Sequence, residues 1–292
     1  MPHYITRWNG MQAIWNLPAC TGPPRTAAGR VRFDDAPAVM ARDLEPGVMD
    51  VSATSGGNEA SLSSVLERYL HPRMTSEHVN SGGGICMSPR IRSLLPRRRF
   101  VGRAFTARTL PGFTRRAIEA LALAKAGDVL VVDAGGASEL SVWGSMVHWN
   151  AARNGLKAVV IDGMVRDLLE IESQAEAIPL FACGRAPAIA GFGAPSVGTV
   201  GEPVVCGGVV VNPGDLIFGD DDGLAVVPWA KAGDVLDLAM RNIVFDDKEQ
   251  AWIESGRSVY DLLTMLSGKD GSQYKERKFR WASQSTIDPL VD

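Results

Sequence analysis

The sequence has neither a long apolar segment nor a cysteine pair at metal-binding spacing. No stretch of its 292 residues approaches the roughly 20 apolar residues of a membrane span. The first residues, MPHYITRWNG, lack a continuous apolar segment of signal-peptide length. We therefore expect a cytoplasmic protein with no membrane partner. The four cysteines contain no CxxC pair, which predicts free thiols in place of a disulfide framework or a zinc cage. They are Cys20, Cys86, Cys183 and Cys206.

The sequence also has little net charge and few histidines. Its formal net charge is −3, whereas nucleic-acid-binding proteins are usually strongly basic, so we expect no nucleic-acid partner. The single basic run, Arg97–Arg99, is more typical of a solvated edge. None of the four histidines forms an HExxH array, and no GxSxG stretch is present. These absences argue against a zinc peptidase and a serine hydrolase.

Strand and helix patterns alternate between about residues 100 and 185. Because strands that alternate with helices pair in parallel, this part predicts an α/β layer. Beyond Gly184 the chain is rich in short β segments separated by Gly, Pro and Asp, and the GDDDG run at 219–223 predicts a hairpin turn. A long amphipathic helix is predicted from about Trp229 to Ser255.

Three regions differ in composition. Residues 1–60 have no sustained periodicity and are predicted to be an N-terminal extension. Residues 61–245 are predicted to form the core domain, beginning with a short amphipathic helix at 62–70. Residues 246–292 are predicted to be a C-terminal helical arm and tail, since the last 25 residues are polar.

The stretch VVIDGMVRDLLE, residues 159–170, begins as a buried strand and ends in a cluster of charge. A strand that ends at Asp162–Gly163 before a helix would leave free N–H groups, which suit an anion. Arg166 adds a forked donor for a carboxylate. Asp167 and Glu170, three positions apart, would share one helix face and suit a magnesium-type ion.

A plainer interpretation of the same residues is structural. Asp167 would cap the helix, and Glu170 would be a first-turn acid that the helix dipole favours. The spacing of these two residues alone favours this interpretation over a metal site.

A second stretch, VDAGGASELSVWG at 132–144, ends just before a predicted helix. The amides after Gly144, those of Ser145, Met146 and Val147, could face a carboxylate or an oxyanion. A tight turn with close packing explains the same residues equally well. His148 follows as either a general acid or base or, more commonly for a lone histidine among apolar neighbours, a packing residue.

These motifs together resemble one family, over about residues 102–256. The resemblance depends on the spacing of Gly144, the pair Arg166–Asp167 about twenty residues later, and the acid Glu170. The family is that of the regulator of ribonuclease activity A and the 4-hydroxy-4-methyl-2-oxoglutarate/4-carboxy-4-hydroxy-2-oxoadipate aldolases. It implies a three-layer β/β/α swivelling-type sandwich, here with the N-terminal extension and the C-terminal helical tail. The other matching segments are GDVLVVDAGG, PLFACG, VNPGDLIFGDDDGLAVVP and ESGRSVY.

The resemblance also implies a chemistry. It implies that Asp167 binds Mg²⁺ or Mn²⁺ directly and that Glu170 acts through metal-bound water. Arg166 and the amides of 145–147, next to Gly144, would bind a 2-oxo acid. Such an enzyme is a class II aldolase that cleaves a 4-hydroxy-2-oxo acid from aromatic degradation to pyruvate. The resemblance allows decarboxylation of oxaloacetate as a second activity. Members assemble as homotrimers or hexamers, and Glu249 is the candidate for an acid supplied by the neighbouring subunit.

Two alternatives stay open at this point. The protein could be a non-catalytic regulator that binds a ribonuclease or another protein, or a lyase or hydrolase of different specificity. Ser145 stands where many relatives carry an acid, and His148 and Trp149 stand where small residues are common. These differences concern the substrate more than the metal.

Overall fold

The computed structural model describes residues 71–194 and 197–267. The predicted extension, the predicted helix at 62–70 and the polar tail beyond 267 lie outside the described residues, as does Cys20. The predicted domain boundaries therefore stay predictions. The other three cysteines have free thiols.

The described part contains a large mixed sheet and a separate two-stranded sheet. The large sheet has the order β1-β12-β11-β3-β4-β6-β7-β2, with β5 beside β6 and β8 beside β3, while β9 and β10 form the hairpin of the small sheet. The strands are β1 Ile85–Cys86, β2 Arg92–Ser93, β3 Phe100–Arg108, β4 Asp128–Asp133, β5 Ser141–Trp143, β6 Ala158–Val165, β7 Leu180–Arg185, β8 Thr199–Val200, β9 Val204–Cys206, β10 Val209–Val211, β11 Leu216–Asp220 and β12 Gly223–Val227.

The helices of the described part connect or cover these strands. A short 3₁₀ turn, Trp229–Lys231, leads into the long helix that the sequence predicts. The helices are α1 Ser76–Ser81, α2 Arg115–Leu123, α3 Ser145–Arg153, α4 Leu168–Ser173, α5 Ala232–Glu254 and α6 Val259–Ser267. None of the described helices is long and apolar enough to cross a membrane.

The centre of the large sheet is parallel, as the alternation of strand and helix predicts. Strands β3, β4, β6 and β7 run in the same direction. Antiparallel strands flank them, with β11 on one side and β2 on the other. The GDDDG run forms the predicted turn, since Asp220 pairs with Gly223 in the antiparallel β11–β12 hairpin.

Side chains on the two faces of the parallel strands build two separate cores. Along β6, Val159 and Ile161 pack on the face covered by α2, α3 and α4. Ala158 and Val160 pack on the opposite face, against the β9–β10 hairpin. The result is a layer of helices, the large sheet and a small sheet. This is the three-layer β/β/α arrangement that the family resemblance implies.

The structure corrects the prediction for the 159–170 stretch. Strand β6 continues to Val165, so Asp162–Gly163 is not the end of a strand before a helix, and the predicted anion site at that joint is wrong. The strand continues because Met164 and Val165 still pair with β7, after an irregularity in register that follows Ile161. The helix that follows begins at Leu168 and ends at Ser173.

Asp162 is instead a buried structural carboxylate. Arg90 donates to it through Nε at 3.1 Å and through Nη2, and the Gly207 N–H donates at 2.8 Å. Burial alone would raise the pKa of Asp162, but the hydrogen bonds from Arg90 and Gly207 outweigh burial and hold the pKa below its usual value. Asp162 thus joins the segment after β1, strand β6 and the β9–β10 hairpin.

Candidate metal and substrate site

The two motifs of the sequence meet where the parallel strands β5 and β6 end. Strand β5 ends at Trp143. The carbonyl of Trp143 accepts a hydrogen bond from the Arg166 N–H at 2.9 Å. Gly144 follows in an extended conformation, and α3 begins at Ser145. This pairing brings Gly144 and Ser145 next to Arg166 and Asp167, although about twenty residues separate them in the chain.

Asp167 occupies the position before α4 but does not cap the helix. It adopts the left-handed conformation, with φ 61° and ψ 32°, and its side chain makes no capping hydrogen bond. Its Oδ2 instead accepts a long hydrogen bond from the Ser145 N–H at 3.4 Å and lies 3.5 Å from the Arg166 Nε. The capping interpretation is therefore wrong. A non-glycine residue in this conformation is uncommon and concentrates at functional sites.

Glu170 approaches the same serine from the first turn of α4. Its Oε2 accepts a hydrogen bond from the Ser145 Oγ at 2.8 Å. Because Asp167 precedes the helix, the two carboxylates do not share one helix face in the way the sequence predicts. They are brought together because both contact Ser145, which is only 4% exposed.

Gly144 permits the close approach of Asp167. A Cβ atom at this position would lie 2.7 Å from the Asp167 Oδ2 and 3.2 Å from the Arg166 Nε. The backbone of Gly144 is extended, with φ −149°, so any residue could adopt it. The need for glycine here is one of space for two neighbouring side chains.

The amides at the start of α3 have different surroundings. The first N–H groups of a helix have no acceptor within the helix. The Ser145 N–H group faces the Asp167 carboxylate. Of the three predicted N–H groups, those of Met146 and Val147 are therefore the ones that would contact an anionic substrate. Met146 is 65% exposed, which places this end of α3 at the surface.

The structure favours the packing role for His148. Its side chain is fully buried, and the indole Nε1 of Trp143 lies 3.4 Å from its Nδ1. Burial lowers the pKa of His148 to about 4, so the ring is neutral at physiological pH. The neighbouring Trp149 is exposed, and the guanidinium of Arg153 lies 5.6 Å from the centre of its ring.

The site suits a hard cation better than a zinc-type ion. No cluster of three or more His, Cys, Asp and Glu side chains that could hold a metal occurs within residues 71–194 and 197–267. Asp167 and Glu170 offer oxygen donors, and half-exposed Asp167 leaves room for water. Mg²⁺ usually binds through one or two carboxylates and retains several waters, so these residues fit the implied Mg²⁺ or Mn²⁺. Glu249 lies in α5, and its contribution to a neighbouring subunit's site stays a prediction.

Sequence reasoning missed Gln174. Its Nε2 donates to the Ser145 carbonyl at 3.5 Å, just after the end of α4. The one available signal was its position four residues after Glu170, which helical spacing would place near the same neighbours.

The family model described as RraA-like, Aldolase/RraA, matches residues 73–226. The chain belongs to the RraA-like family. The matched range contains both motifs and the whole parallel part of the sheet. The predicted family and the predicted fold class are thereby confirmed.

Individual proteins of similar sequence and structure agree with this family assignment. A protein of Halalkalibacterium halodurans named "Putative 4-hydroxy-4-methyl-2-oxoglutarate aldolase" is 34% identical over 150 residues, 51% of this RraA-like chain and 70% of the relative. The structure of an uncharacterized protein from Pseudomonas syringae has a TM-score of 0.57 and 29% identity, covering 68% of this chain and 96% of that one. An unusual member of the RNase ES inhibitor RraA family from Streptomyces coelicolor has a TM-score of 0.55 and 27% identity, covering 66% and 98%.

Replacing the glycine tests whether its space positions Asp167. We expect Gly144→Ala to weaken Mn²⁺ binding at least tenfold, because the added methyl group displaces the carboxylate, and ligand geometry controls affinity. Thermal stability should change little, since the atoms that the methyl group displaces lie at the ends of the half-exposed Asp167 and Arg166 side chains. Titration calorimetry with Mn²⁺ measures the effect. Gly233→Ala, where a Cβ meets nothing within 4 Å, is the control and should bind Mn²⁺ as the wild type does. Equal affinity of the two variants would contradict the expectation.

The buried histidine predicts how stability depends on pH. The folded pKa of His148 is about 4, below the ordinary value of 6.5, so the unfolded chain binds the proton first. The contribution of neutral His148 to the free energy of unfolding is complete above pH 6.5. It is lost as the pH falls from 6.5 toward 4, which lowers the free energy of unfolding by about 3 kcal/mol. Urea unfolding across this range should show a smaller loss for His148→Gln. Asn150→Gln, on the exposed side of α3, should behave as the wild type, and identical slopes for both variants would refute the assignment.

Proposed function

We propose that this protein is a divalent-metal-dependent, class II aldolase that cleaves a 4-hydroxy-2-oxo acid to pyruvate. The observation that carries the proposal is the convergence of Arg166, Asp167 and Glu170 around Ser145, at an exposed edge beside Gly144. A helix cap would need none of these contacts, whereas binding a cation and an anion side by side requires carboxylates and a guanidinium together.

In this proposal the carboxylates bind the cation, and the guanidinium and the amides bind the anionic substrate. Asp167 would hold Mg²⁺ or Mn²⁺ directly, and Glu170 would accept hydrogen bonds from water in the ion's hydration shell. The ion supplies a Lewis acid that stabilises negative charge on the oxo group of the substrate. Arg166 lies 3.5 Å from Asp167, so it can donate to an anionic substrate placed against the carboxylate. The Met146 and Val147 amides would receive the substrate's carboxylate.

This arrangement accounts for two related reactions. In the aldol cleavage the bond between C3 and C4 breaks, the 4-hydroxyl group loses its proton, and the electron pair moves into the 2-oxo acid fragment. Protonation at C3 then gives pyruvate. Loss of CO₂ from oxaloacetate leaves an electron pair on the same carbon, so the same stabilising groups serve it. We include oxaloacetate decarboxylation in the proposal for this reason.

Exposed apolar side chains beside the site support an oligomer. Leu169 is 84% exposed between the two carboxylates, and Met146 and Trp149 are exposed on α3. Large apolar side chains grouped at a surface are typical of subunit contacts. We propose a homotrimer or hexamer whose neighbouring subunit supplies Glu249 to this site, acting in the cytoplasm in the degradation of aromatic compounds.

A second candidate is a regulator that binds a ribonuclease. The structural likeness to the Streptomyces coelicolor family member supports it. A lyase or hydrolase of another specificity would use the same carboxylates. Turnover of the aldolase substrates separates these candidates, because a pure binding protein needs no metal-dependent chemistry.

A pyruvate assay tests the proposal. With Mg²⁺ present, we expect pyruvate from 4-hydroxy-4-methyl-2-oxoglutarate and from oxaloacetate, and EDTA should remove it. Asp167→Ala should abolish turnover. Arg166→Ala should lower kcat by about 10²-fold with the fold intact, because its contact strengthens in the transition state. Asp222→Ala, in the β11–β12 turn, is the matched control. Failure to form pyruvate from either substrate with metal would exclude the aldolase.

Mixed oligomers test the shared site. Asp167→Ala and Glu249→Ala are each expected to be inactive when purified alone. Coexpressed with different tags and purified through both, they should regain about one third of wild-type activity as trimers, because each mixed trimer has both residues intact at one of its three interface sites, or about one quarter as hexamers. Coexpressed Arg166→Ala and Asp167→Ala, which alter the same side of the site, should regain none. No recovery in the first pair would show that the neighbour does not supply Glu249.

A further inference from the structure

Ser145 uses every polar group it has to contact residues that follow β6. Its N–H lies 3.4 Å from the Asp167 Oδ2, its Oγ donates to the Glu170 Oε2 at 2.8 Å, and its carbonyl accepts from the Gln174 Nε2 at 3.5 Å. Ser145 is 4% exposed, whereas Asp167 and Glu170 are exposed. A buried serine thus contacts both exposed carboxylates.

The hydrogen bond to Glu170 is the shortest of these contacts and has the clearest consequence. A hydroxyl group has one donor, and here that donor is directed at the carboxylate. Glutamate has several rotatable bonds, and fixing them costs side-chain entropy. Because Ser145 is itself held by packing and by Gln174, its hydroxyl restricts Glu170 before any ligand arrives.

We propose that Ser145 is a positioning residue that holds the Glu170 carboxylate beside Asp167, so that the pair receives a hydrated divalent cation. This role rests on the proposed metal-dependent function. Ser145 acts through Glu170 and has no bond to the ion. Its removal lets Glu170 move into solvent, so the affinity for the cation falls although both carboxylates remain.

A purely structural role for Ser145 makes a different prediction. A serine that only joins α3 to α4 would affect metal binding whether or not residue 170 carries a carboxylate. A serine that acts through Glu170 loses its effect once that carboxylate is gone. A double-mutant cycle between residues 145 and 170 therefore separates the two roles.

The experiment is a Mn²⁺ titration of the full chain, followed by electron paramagnetic resonance. We expect Ser145→Ala to weaken Mn²⁺ binding about tenfold, as loss of a group that orients a ligand does. Glu170→Ala should weaken it by at least as much, and adding Ser145→Ala to Glu170→Ala should change the affinity less than twofold. Ser145→Cys, which keeps a weaker donor, should fall between the wild type and Ser145→Ala.

Ser173→Ala is the matched control. Its hydroxyl also contacts Glu170, but at the main-chain carbonyl, at 2.7 Å. It should bind Mn²⁺ as the wild type does. Thermal unfolding of each variant verifies that it is folded.

Two outcomes would overturn the proposal in distinguishable ways. If Ser145→Ala binds Mn²⁺ normally, or its effect adds in full to that of Glu170→Ala, while Asp167→Ala abolishes binding, only the positioning role fails. If Asp167→Ala itself binds Mn²⁺ with wild-type affinity, the metal site of the proposed function fails and this role fails with it.

Discussion

The candidate site depends on one backbone contact, the hydrogen bond from the Arg166 N–H to the Trp143 carbonyl. It extends the pairing of β5 with β6 to the point where both strands end. Without it, Gly144 and Asp167 would belong to separate connections on the sheet edge. With it, a Cβ on Gly144 would lie 2.7 Å from the Asp167 carboxylate, and the start of α3 faces the start of α4. Ligands of open α/β sheets commonly bind at such carboxyl ends.

Two aspartates on either side of this contact, only five positions apart, have opposite surroundings. Asp162 is buried on the face of the β9–β10 hairpin, where Arg90 and a backbone N–H satisfy its oxygens. Asp167 lies beyond the end of the strand, half-exposed, with one guanidinium nitrogen at 3.5 Å and one long backbone contact. Paired and buried, the first carboxylate stabilises the layers. The second retains acceptor capacity for a cation, because its protein partners leave much of it open to water.

Local features of this structure could be predicted from the sequence, whereas features that depend on residues far apart in the chain could not. Runs such as that of β4 are apolar on both faces, so a parallel layer between helices was predictable. Gly163 looked like the end of a strand because the pairing that extends β6 to Val165 comes from β5 and β7. The structural role of Asp162 was not predictable, because its partner Arg90 lies 72 positions away in the chain. The spacing of Asp167 and Glu170 suggested one helix face, whereas Ser145 joins them. The resemblance identified the family, whose model matches residues 73–226, whereas the spacing of the two acids alone favoured a helix cap.

Charge explains why such a site would need its cation before its substrate. Arg166 contributes one positive charge, and Asp167 and Glu170 contribute two negative charges, so the three side chains carry a formal charge of −1. A 2-oxo dicarboxylate approaching them alone meets repulsion that Arg166 cannot cancel. A divalent cation between the carboxylates reverses the sign to +1, and the neutral amides of α3 then add attraction without further charge. Under the proposed function, an acidic oxo acid would bind in preference to a neutral carbonyl compound, because only an anion would be attracted by both the cation and Arg166.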